Sequence, residues 1–234
     1  MASPSQQRIL NRAGAPTTPL ILAAADFAKT HLSPPTFNHV MRSLGLAFAI
    51  AKNRLDSKTM DDEVVAVACI LHDLGWSSTP SLISADKRFE VDGADAARAF
   101  LLREAPHWVP RRVQLVWDAV ALHSTNSIAL FKEVEVAAVA RGVTADFGGP
   151  GERVEDGSEG VERGEYEAVV EAFPRTGFVD EVVRVHEGFC RSKPETTYDN
   201  YVRDVGEELV EGYSIKGHTF LDRLKERTKP LESK

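Results

Sequence analysis

The sequence has few cysteines, no excess of basic charge and no long apolar run. Two cysteines, Cys69 and Cys190, are too few for the disulfide framework of a secreted protein, so we interpret both as reduced thiols. Acidic residues outnumber basic ones by 35 to 28, and the net charge of -7 argues against nucleic acid or an anionic membrane as a partner. No apolar stretch approaches a membrane span, and the N-terminus lacks the apolar core of a secretory signal. We therefore expect a cytoplasmic protein.

Helical periodicity dominates what is present. Prolines open the predicted helix in PPTFNHVMRSLGLAFAIAKNRL, acidic residues open DDEVVAVACILHDLGW, and VPRRVQLVWDAVALHST has one apolar face. Alternation typical of strands is short wherever it occurs. The sequence predicts an all-α fold, and its 43% hydrophobic content is sufficient for one sizeable core. We expect a flexible segment over residues 1–17 and a single domain over 18–234.

One stretch departs from the helical pattern. Residues 148–165, GGPGERVEDGSEGVERGE, are rich in glycine and acid and poor in apolar side chains. This composition predicts a solvated loop between helices. A mobile lid over a site beside Asp146 is the alternative interpretation.

Three of the seven histidines lie in an apolar context. His39 lies early in the second predicted helix, His72 precedes Asp73 at the end of the third, and His123 lies on the apolar face of a later helix. Imidazole and carboxylate groups suit Zn²⁺, Fe²⁺ or Mn²⁺, and the helices of a bundle can aim such groups at one interior point. Adjacent helical residues point about 100° apart, so His72 and Asp73 can share a metal only near the helix end, which Gly75 permits.

The order His39, His72 and Asp73, then Asp146, resembles the H…HD…D pattern of the HD-domain superfamily of metal-dependent hydrolases. The stretches FNHVMRSLGLAFAIAK, ACILHDLGW, RFEVDGADAARAFL and VWDAVALHS together resemble its fungal cyanamide hydratase branch. The resemblance implies a helical bundle with a metal site in its core, and one divalent metal, zinc in that branch, bound by these four residues. Asp118 is an alternative to Asp146, which could also be a solvent-facing residue at a helix end.

The number of metals depends on Phe89. Dinuclear members of the superfamily resemble an H…HD…H…H…D pattern in which the third histidine opens an HPxxGA turn, whereas this chain has FEVDGA, with Phe89 in the place of that histidine. A phenyl ring offers no donor atom to a divalent cation. His107, flanked by prolines, is interpreted as part of an inter-helix connection, and Glu90 and Asp92 as acids that stabilise a helix N-terminus. We therefore expect one metal, which argues against the oxygenases and two-metal phosphodiesterases.

The resemblance implies a lyase that adds water to a small nitrile, with cyanamide as the substrate and urea as the product. Asp73 and His123 are the candidate catalytic residues. His123 could orient the water, donate a proton to nitrogen, hold an aspartate in place or be the remnant of a second metal site. Trp76, Phe89 and Trp117 are the candidate walls of a narrow substrate pocket.

Two other functions stay open at this point. A mononuclear phosphohydrolase, such as a nucleotidase, would need basic donors around the metal, and LGWSS after the histidine–aspartate pair offers none. Arg42, one helical turn after His39, could reach an anionic group or pair with a carboxylate. A non-catalytic, metal-stabilised domain would have a closed coordination shell. The C-terminal GHTFLDRLKERTKPLESK predicts an amphipathic helix that could cover the core or bind a second subunit, which leaves a homo-oligomer as an alternative.

Overall fold

The computed structural model describes residues 11, 15–52, 54, 56–151 and 160–232. These residues form α-helices and short 3-10 turns without any strand, which confirms the predicted all-α fold. Within this part of the chain, no helix has both the length and the apolar character needed to cross a membrane. Residues 152–159 of the predicted acidic loop, and most of the segment 1–17, lie outside the described residues. The loop, the lid and the segment boundaries therefore stay predictions.

The described α-helices fall into two compact units. The larger unit holds the described residues up to Ser84 together with Phe89–Phe178, and the smaller unit holds Ala85–Arg88 and the residues from Val179 onward. In chain order the helices are α1 Pro19–His31, α2 Pro34–Ala51, α3 Asp62–Leu71, α4 Phe89–Glu104, α5 Pro110–Leu122, α6 Asn126–Ala129, α7 Val134–Gly148, α8 Arg163–Ala172, α9 Phe178–Ser192, α10 Val202–Leu209 and α11 Phe220–Glu232.

Short polar side chains fix where the helices of the larger unit begin. The Ser33 hydroxyl accepts a hydrogen bond from the Thr36 backbone N–H at 3.4 Å, and the Asp61 carboxylate accepts one from the Val64 backbone N–H at 3.2 Å. Such caps satisfy N–H groups that have no partner within the helix. Pro34 begins α2, where its missing N–H costs nothing. The start of α2 thus places His39 in its second turn.

Helix α3 is the centre of the larger unit. It packs against α1, α2, α5 and α7, and every residue from Val64 to Leu71 is buried. A helix that is apolar on all sides is stable only when other elements surround it. Because α3 runs through the core, the two residues that follow it, His72 and Asp73, also lie in the interior.

Helices α2 and α7 approach each other closely because one of the facing residues is glycine. A Cβ atom at Gly142 would lie 2.4 Å from the backbone oxygen of Ser43 and 2.7 Å from the Cβ of Ala47. One turn before Ser43 on α2 stands His39, and one turn after Gly142 on α7 stands Asp146. The close packing of the two helices therefore brings these two side chains within hydrogen-bonding distance.

The smaller unit packs around its own aromatic residues. The Tyr198 ring stacks on His218 with centroids 4.1 Å apart, and a Cβ at Gly206 would meet the Tyr213 ring at 2.5 Å. The predicted C-terminal helix is present as α11. Cys190 is buried in this unit and Cys69 in α3 of the larger one, both as free thiols, as the sequence predicts.

Replacing Gly142 by alanine is expected to destabilise the protein by about 1–3 kcal/mol, because the added methyl group would overlap the backbone of α2. Gly188→Ala in α9 is the matched control. A Cβ there meets no atom within 4 Å, so the helix propensity of alanine should stabilise by up to about 1 kcal/mol. Urea denaturation of both variants measures the difference, and equal stability would contradict the tight packing.

Candidate metal centre

The histidine–aspartate pair lies in a tight turn between α3 and the start of α4. His72 caps the C-terminus of α3, and Asp73 precedes a 3-10 turn over Leu74–Trp76. A Cβ at Gly75 would lie 1.9 Å from the backbone oxygen of Phe89. Glycine is therefore required here, and it lets the first turn of α4 lie directly against the pair.

His39, His72 and Asp73 form a group that can bind a metal ion in the core. One donor atom from each side chain lies within 4.8 Å of the other two. The two Nε2 atoms are 3.2 Å apart, and Asp73 Oδ2 lies 3.3 Å from His72 Nε2 and 3.6 Å from His39 Nε2. The side chains are 1% exposed or less. The three ligands predicted in α2 and after α3 are thus brought together.

Hydrogen bonds at the opposite ring nitrogens determine which tautomer each histidine adopts. His39 Nδ1 lies 2.7 Å from Asp146 Oδ2, and His72 Nδ1 lies 2.8 Å from the backbone oxygen of Cys69. Both oxygens are acceptors, so both Nδ1 atoms carry hydrogen. In the neutral imidazoles the Nε2 atoms then have bare lone pairs that face each other. Two such lone pairs at 3.2 Å need a cation or a proton between them.

The Asp73 carboxylate also needs a cation or a proton beside it. It is 1% exposed, and neither of its oxygens accepts a hydrogen bond from the part of the chain that the structure describes. A buried carboxylate without donors is costly unless it is paired or coordinates a metal. Two imidazole nitrogens and one carboxylate are a donor set that suits a divalent cation such as Zn²⁺, Fe²⁺ or Mn²⁺. His39, His72 and Asp73 therefore fit a metal, and they would hold it.

The pKa values of His39, His72 and Asp73 are shifted by burial and by the charges that these residues place beside one another. Burial lowers the pKa of His39. Burial disfavours the charged forms of His72 and Asp73 as well, but each stabilises the charge of the other. As a result the pKa of Asp73 falls below its usual range, and that of His72 rises above 6.5. Metal binding requires a neutral imidazole, so a metal competes with the proton that His72 would otherwise hold.

Asp146, the fourth predicted ligand, lies beside the group, against its outer edge. Its carboxylate is fully buried and receives Arg42 Nε at 2.7 Å on Oδ1 and Arg42 Nη2 at 2.8 Å on Oδ2, in addition to His39 Nδ1. Arg175 Nη1 lies 2.7 Å from Oδ1. Burial raises the pKa of Asp146, but the bonds from His39 and Arg42 outweigh it and keep the carboxyl ionised. Direct ligation by Asp146 stays a prediction.

The alternative ligand, Asp118, lies elsewhere. It pairs with Lys132 Nζ at 3.0 Å and accepts a hydrogen bond from Gln114 at 2.6 Å, and its side chain is 19% exposed. These contacts are those of a residue in a partly exposed polar cluster. They do not support Asp118 as a metal ligand.

One of the three predicted pocket residues, Phe89, lies beside His123, and a second, Trp76, lies beside Phe89. The Phe89 ring centroid lies 5.7 Å from that of His123 and 5.9 Å from that of Trp76. Trp117 is different, because its indole N–H donates to Asp95 at 2.9 Å on the outer side of α4 and α5. Phe89 thus lies beside the candidate catalytic histidine with Trp76 next to it, whereas the contact of Trp117 is with Asp95.

His123 lies next to the metal group with its tautomer fixed. It caps the C-terminus of α5, and its Nδ1 donates to the backbone oxygen of Val120 at 2.7 Å. The bare Nε2 lies 3.6 Å from Asp73 Oδ1, and the ring centroid lies 4.7 Å from that of His72. Burial, followed by the charge of His72, lowers the pKa of His123 to about 4. His123 therefore presents a hydrogen-bond acceptor to the site.

Sequence reasoning missed the burial of Glu90 and the contribution of Phe178. Glu90 lies in the first turn of α4 as predicted, but it is fully buried and accepts a hydrogen bond from Ser124 Oγ at 2.6 Å. Phe178 stacks on His39 with centroids 4.6 Å apart. An acid in a first turn looks the same in sequence whether buried or solvated, and nothing local in FVDEVV indicates a contact with α2.

A comparison with models of known protein families identifies a match to this chain. The sequence model of the HD domain matches residues 36–157, which is just over half of the chain. The matched range contains the metal group, Asp146 and His123, and it ends before Arg175. None of the curated proteins matches the chain.

Metal removal is expected to lower the stability of the protein. A ligand that binds only the folded state stabilises it by about 2.7 kcal/mol when its free concentration is about a hundredfold above Kd. The wild type should therefore unfold at a higher temperature with Zn²⁺ than with EDTA. Asp73→Asn should lose most of this difference, because an amide is a weaker ligand.

Thermal unfolding followed by circular dichroism measures this effect. Asp118→Asn is the control and should keep the full response to the metal, because Asp118 lies in a separate polar cluster. A wild-type response in Asp73→Asn would contradict the assignment of the site.

Proposed function

The chain belongs to the HD domain family, and from this membership we propose that it is a metal-dependent hydratase that adds water to a small nitrile, with cyanamide as substrate and urea as product. The family alone indicates a metal-dependent enzyme of the hydrolase type. The nature of the substrate is inferred from the surroundings of the metal group.

Burial of the polar site is the observation that carries this proposal. His39, His72, Asp73 and His123 are all at most 4% exposed. Only a small molecule can reach donors at such depth without a large rearrangement. Phe89 adds an apolar ring beside His123, which favours a neutral substrate over a charged one. Cyanamide is short, linear and neutral, and therefore suits these surroundings.

Hydration of cyanamide requires one bond to carbon and one proton on nitrogen. The oxygen of water bonds to the nitrile carbon, a proton reaches the nitrile nitrogen, and the resulting isourea tautomerises to urea. When bound, a divalent metal lowers the pKa of water to about 7 and polarises the substrate. The protein must then accept the proton of the water and return one to nitrogen.

His123 is placed for this proton transfer. Its Nε2 has a bare lone pair, because Nδ1 donates to the backbone oxygen of Val120. This Nε2 lies 3.6 Å from Asp73 Oδ1, and the negative charge of that carboxylate stabilises the imidazolium formed when Nε2 takes up a proton. Ser124, held by the buried Glu90, follows directly and fixes the backbone beside His123. We assign His123 the role of general base and then general acid, with Asp73 as its electrostatic partner.

The phosphohydrolase alternative has less support. Phosphate recognition needs basic donors that are free to bind the substrate. Arg42 is fully buried, and each of its three guanidinium nitrogens already donates, to Asp146 or to the backbone oxygens of Phe173 and Pro174. The predicted possibility that Arg42 pairs with a carboxylate is therefore the one observed. Arg42 therefore has no guanidinium nitrogen without a partner to offer to a phosphate group.

Urea formation from cyanamide by the zinc-loaded protein is the first expected result. His72→Ala should abolish turnover, because it removes a metal donor. His107→Ala, in the exposed connection between α4 and α5, is the control and should retain it. A protein that binds one equivalent of metal yet forms no urea would contradict the proposal, and release of phosphate from nucleoside monophosphates would favour the alternative. Metal without any turnover would favour the non-catalytic domain.

His123→Gln is expected to lower kcat by about 10²–10⁴-fold, the usual contribution of a general acid–base group. Its metal content should stay at the wild-type level, because His123 is proposed to move a proton and not to bind the metal. Turnover assays paired with metal analysis measure both quantities, with His107→Gln as the control. Loss of metal in parallel with activity would show that His123 is a ligand instead.

A further inference from the structure

Arg175 contacts the metal centre from a part of the chain outside the family match. It lies in the connection between α8 and α9, and its side chain is 30% exposed. One nitrogen, Nη1, makes its polar contacts with the described residues. That atom lies 2.7 Å from Asp146 Oδ1, donates to the backbone oxygen of Asp146, and lies 3.1 Å from the hydroxyl of Tyr166.

The contact to the backbone oxygen secures the end of α7. Asp146 lies in the last turn of this helix, where carbonyl groups have no partner within the helix. Arg175 satisfies one of these carbonyls and places its positive charge at the negative end of the helix dipole. The position of the Asp146 backbone thus depends on Arg175.

The contact of Arg175 with the Asp146 carboxylate means that two arginines hold this carboxylate. Arg42 holds both oxygens of Asp146 from the buried side, and Arg175 holds Oδ1 from the side that reaches solvent. The carboxylate so fixed accepts the hydrogen bond from His39 Nδ1. The orientation of the His39 ring, and hence the direction of its Nε2 lone pair, follows from the position of this carboxylate.

We propose that Arg175 is a positioning residue of the metal centre. It fixes the Asp146 carboxylate and, through it, the imidazole of His39, and so sets the affinity for a divalent metal without binding the metal itself. The inference rests on the proposed function only in taking the centre to be a metal site. It holds whether Asp146 binds the metal directly or only orients His39.

The affinity for Co²⁺, measured by competition with a chromophoric chelator, tests this inference. Arg175→Ala is expected to bind Co²⁺ at least about tenfold more weakly, the usual effect of losing a residue that orients a ligand. Arg175→Lys should recover part of the loss, because a single ammonium nitrogen has three donors and Arg175 makes its contacts through one nitrogen. The visible spectrum of bound Co²⁺ should change in the alanine variant.

Arg163→Ala is the matched control. Arg163 lies on α8, is 75% exposed and pairs with Glu167 at 3.6 Å, so its loss should leave the Co²⁺ affinity unchanged. Circular dichroism of the metal-free proteins checks the fold. If Arg175→Ala does not fold, Arg175→Gln, which keeps most of the side-chain length and loses the charge, is measured with the same expectation.

The outcomes separate this inference from the proposed function. A folded Arg175→Ala protein with the wild-type Co²⁺ affinity and spectrum would overturn the role of Arg175, whatever the enzyme's substrate. A wild type that binds Co²⁺ and zinc yet makes no urea would overturn the hydratase alone. A wild type that binds no metal would overturn both.

Discussion

The Asp73 carboxylate, buried without a hydrogen-bond donor among the described residues, is the constraint on which the rest of the site depends. The bare Nε2 atoms of His39 and His72 lie 3.6 and 3.3 Å from it, so three electron-rich groups share one interior point. The buried side chains of α3, Val64–Leu71, carry no charge that could offset this cost. The fold must hold these groups together, and a cation or a shared proton between them offsets the repulsion of their lone pairs. Caps at the helix starts and the glycine contacts between α2 and α7 supply the rigidity that this requires.

The same backbone device orients two of the histidines. His72 and His123 each cap the C-terminus of a helix, and each donates from Nδ1 to the carbonyl three residues earlier. These carbonyls belong to the last helical turn and lack partners within the helix. One hydrogen bond therefore satisfies the helix end, fixes the tautomer and directs Nε2 towards Asp73. His39 lies within α2 and has no such carbonyl, so it depends on a carboxylate from α7, which in turn depends on two arginines.

Sequence reasoning recovered the parts of the site that are encoded locally. The all-α fold and the end of α3 before His72 follow from helical periodicity and from a pair of polar residues at the end of an apolar run. The convergence of His39, His72 and Asp73 is implied by the resemblance to the HD-domain superfamily. Helical periodicity does not support Trp117 as a pocket wall beside His123. Trp117 precedes His123 by six residues, which at about 100° per residue places it on a different face of α5. The contacts of Phe178 and Arg175 could not be predicted, because both depend on tertiary packing. Phe178 meets His39 of α2, more than a hundred residues earlier, and Arg175 meets Asp146 at the end of α7, on the far side of α8 in the sequence.

Charge balance links this architecture to the proposed hydration. Asp146 is offset by Arg42 and Arg175, so its negative charge is already compensated before any metal binds. Asp73 has the imidazoles of His39, His72 and His123 beside it, and Glu90 is a further buried carboxylate near His123. A divalent ion placed against Asp73 would therefore leave the metal group with a net positive charge in a buried site. In the proposed hydration, such a field would stabilise the negative charge that grows on the nitrile nitrogen, without reorganisation of the protein. Arg175 thus affects the electrostatics of the centre as well as the position of Asp146, because without it the site would have one positive charge fewer beside that carboxylate.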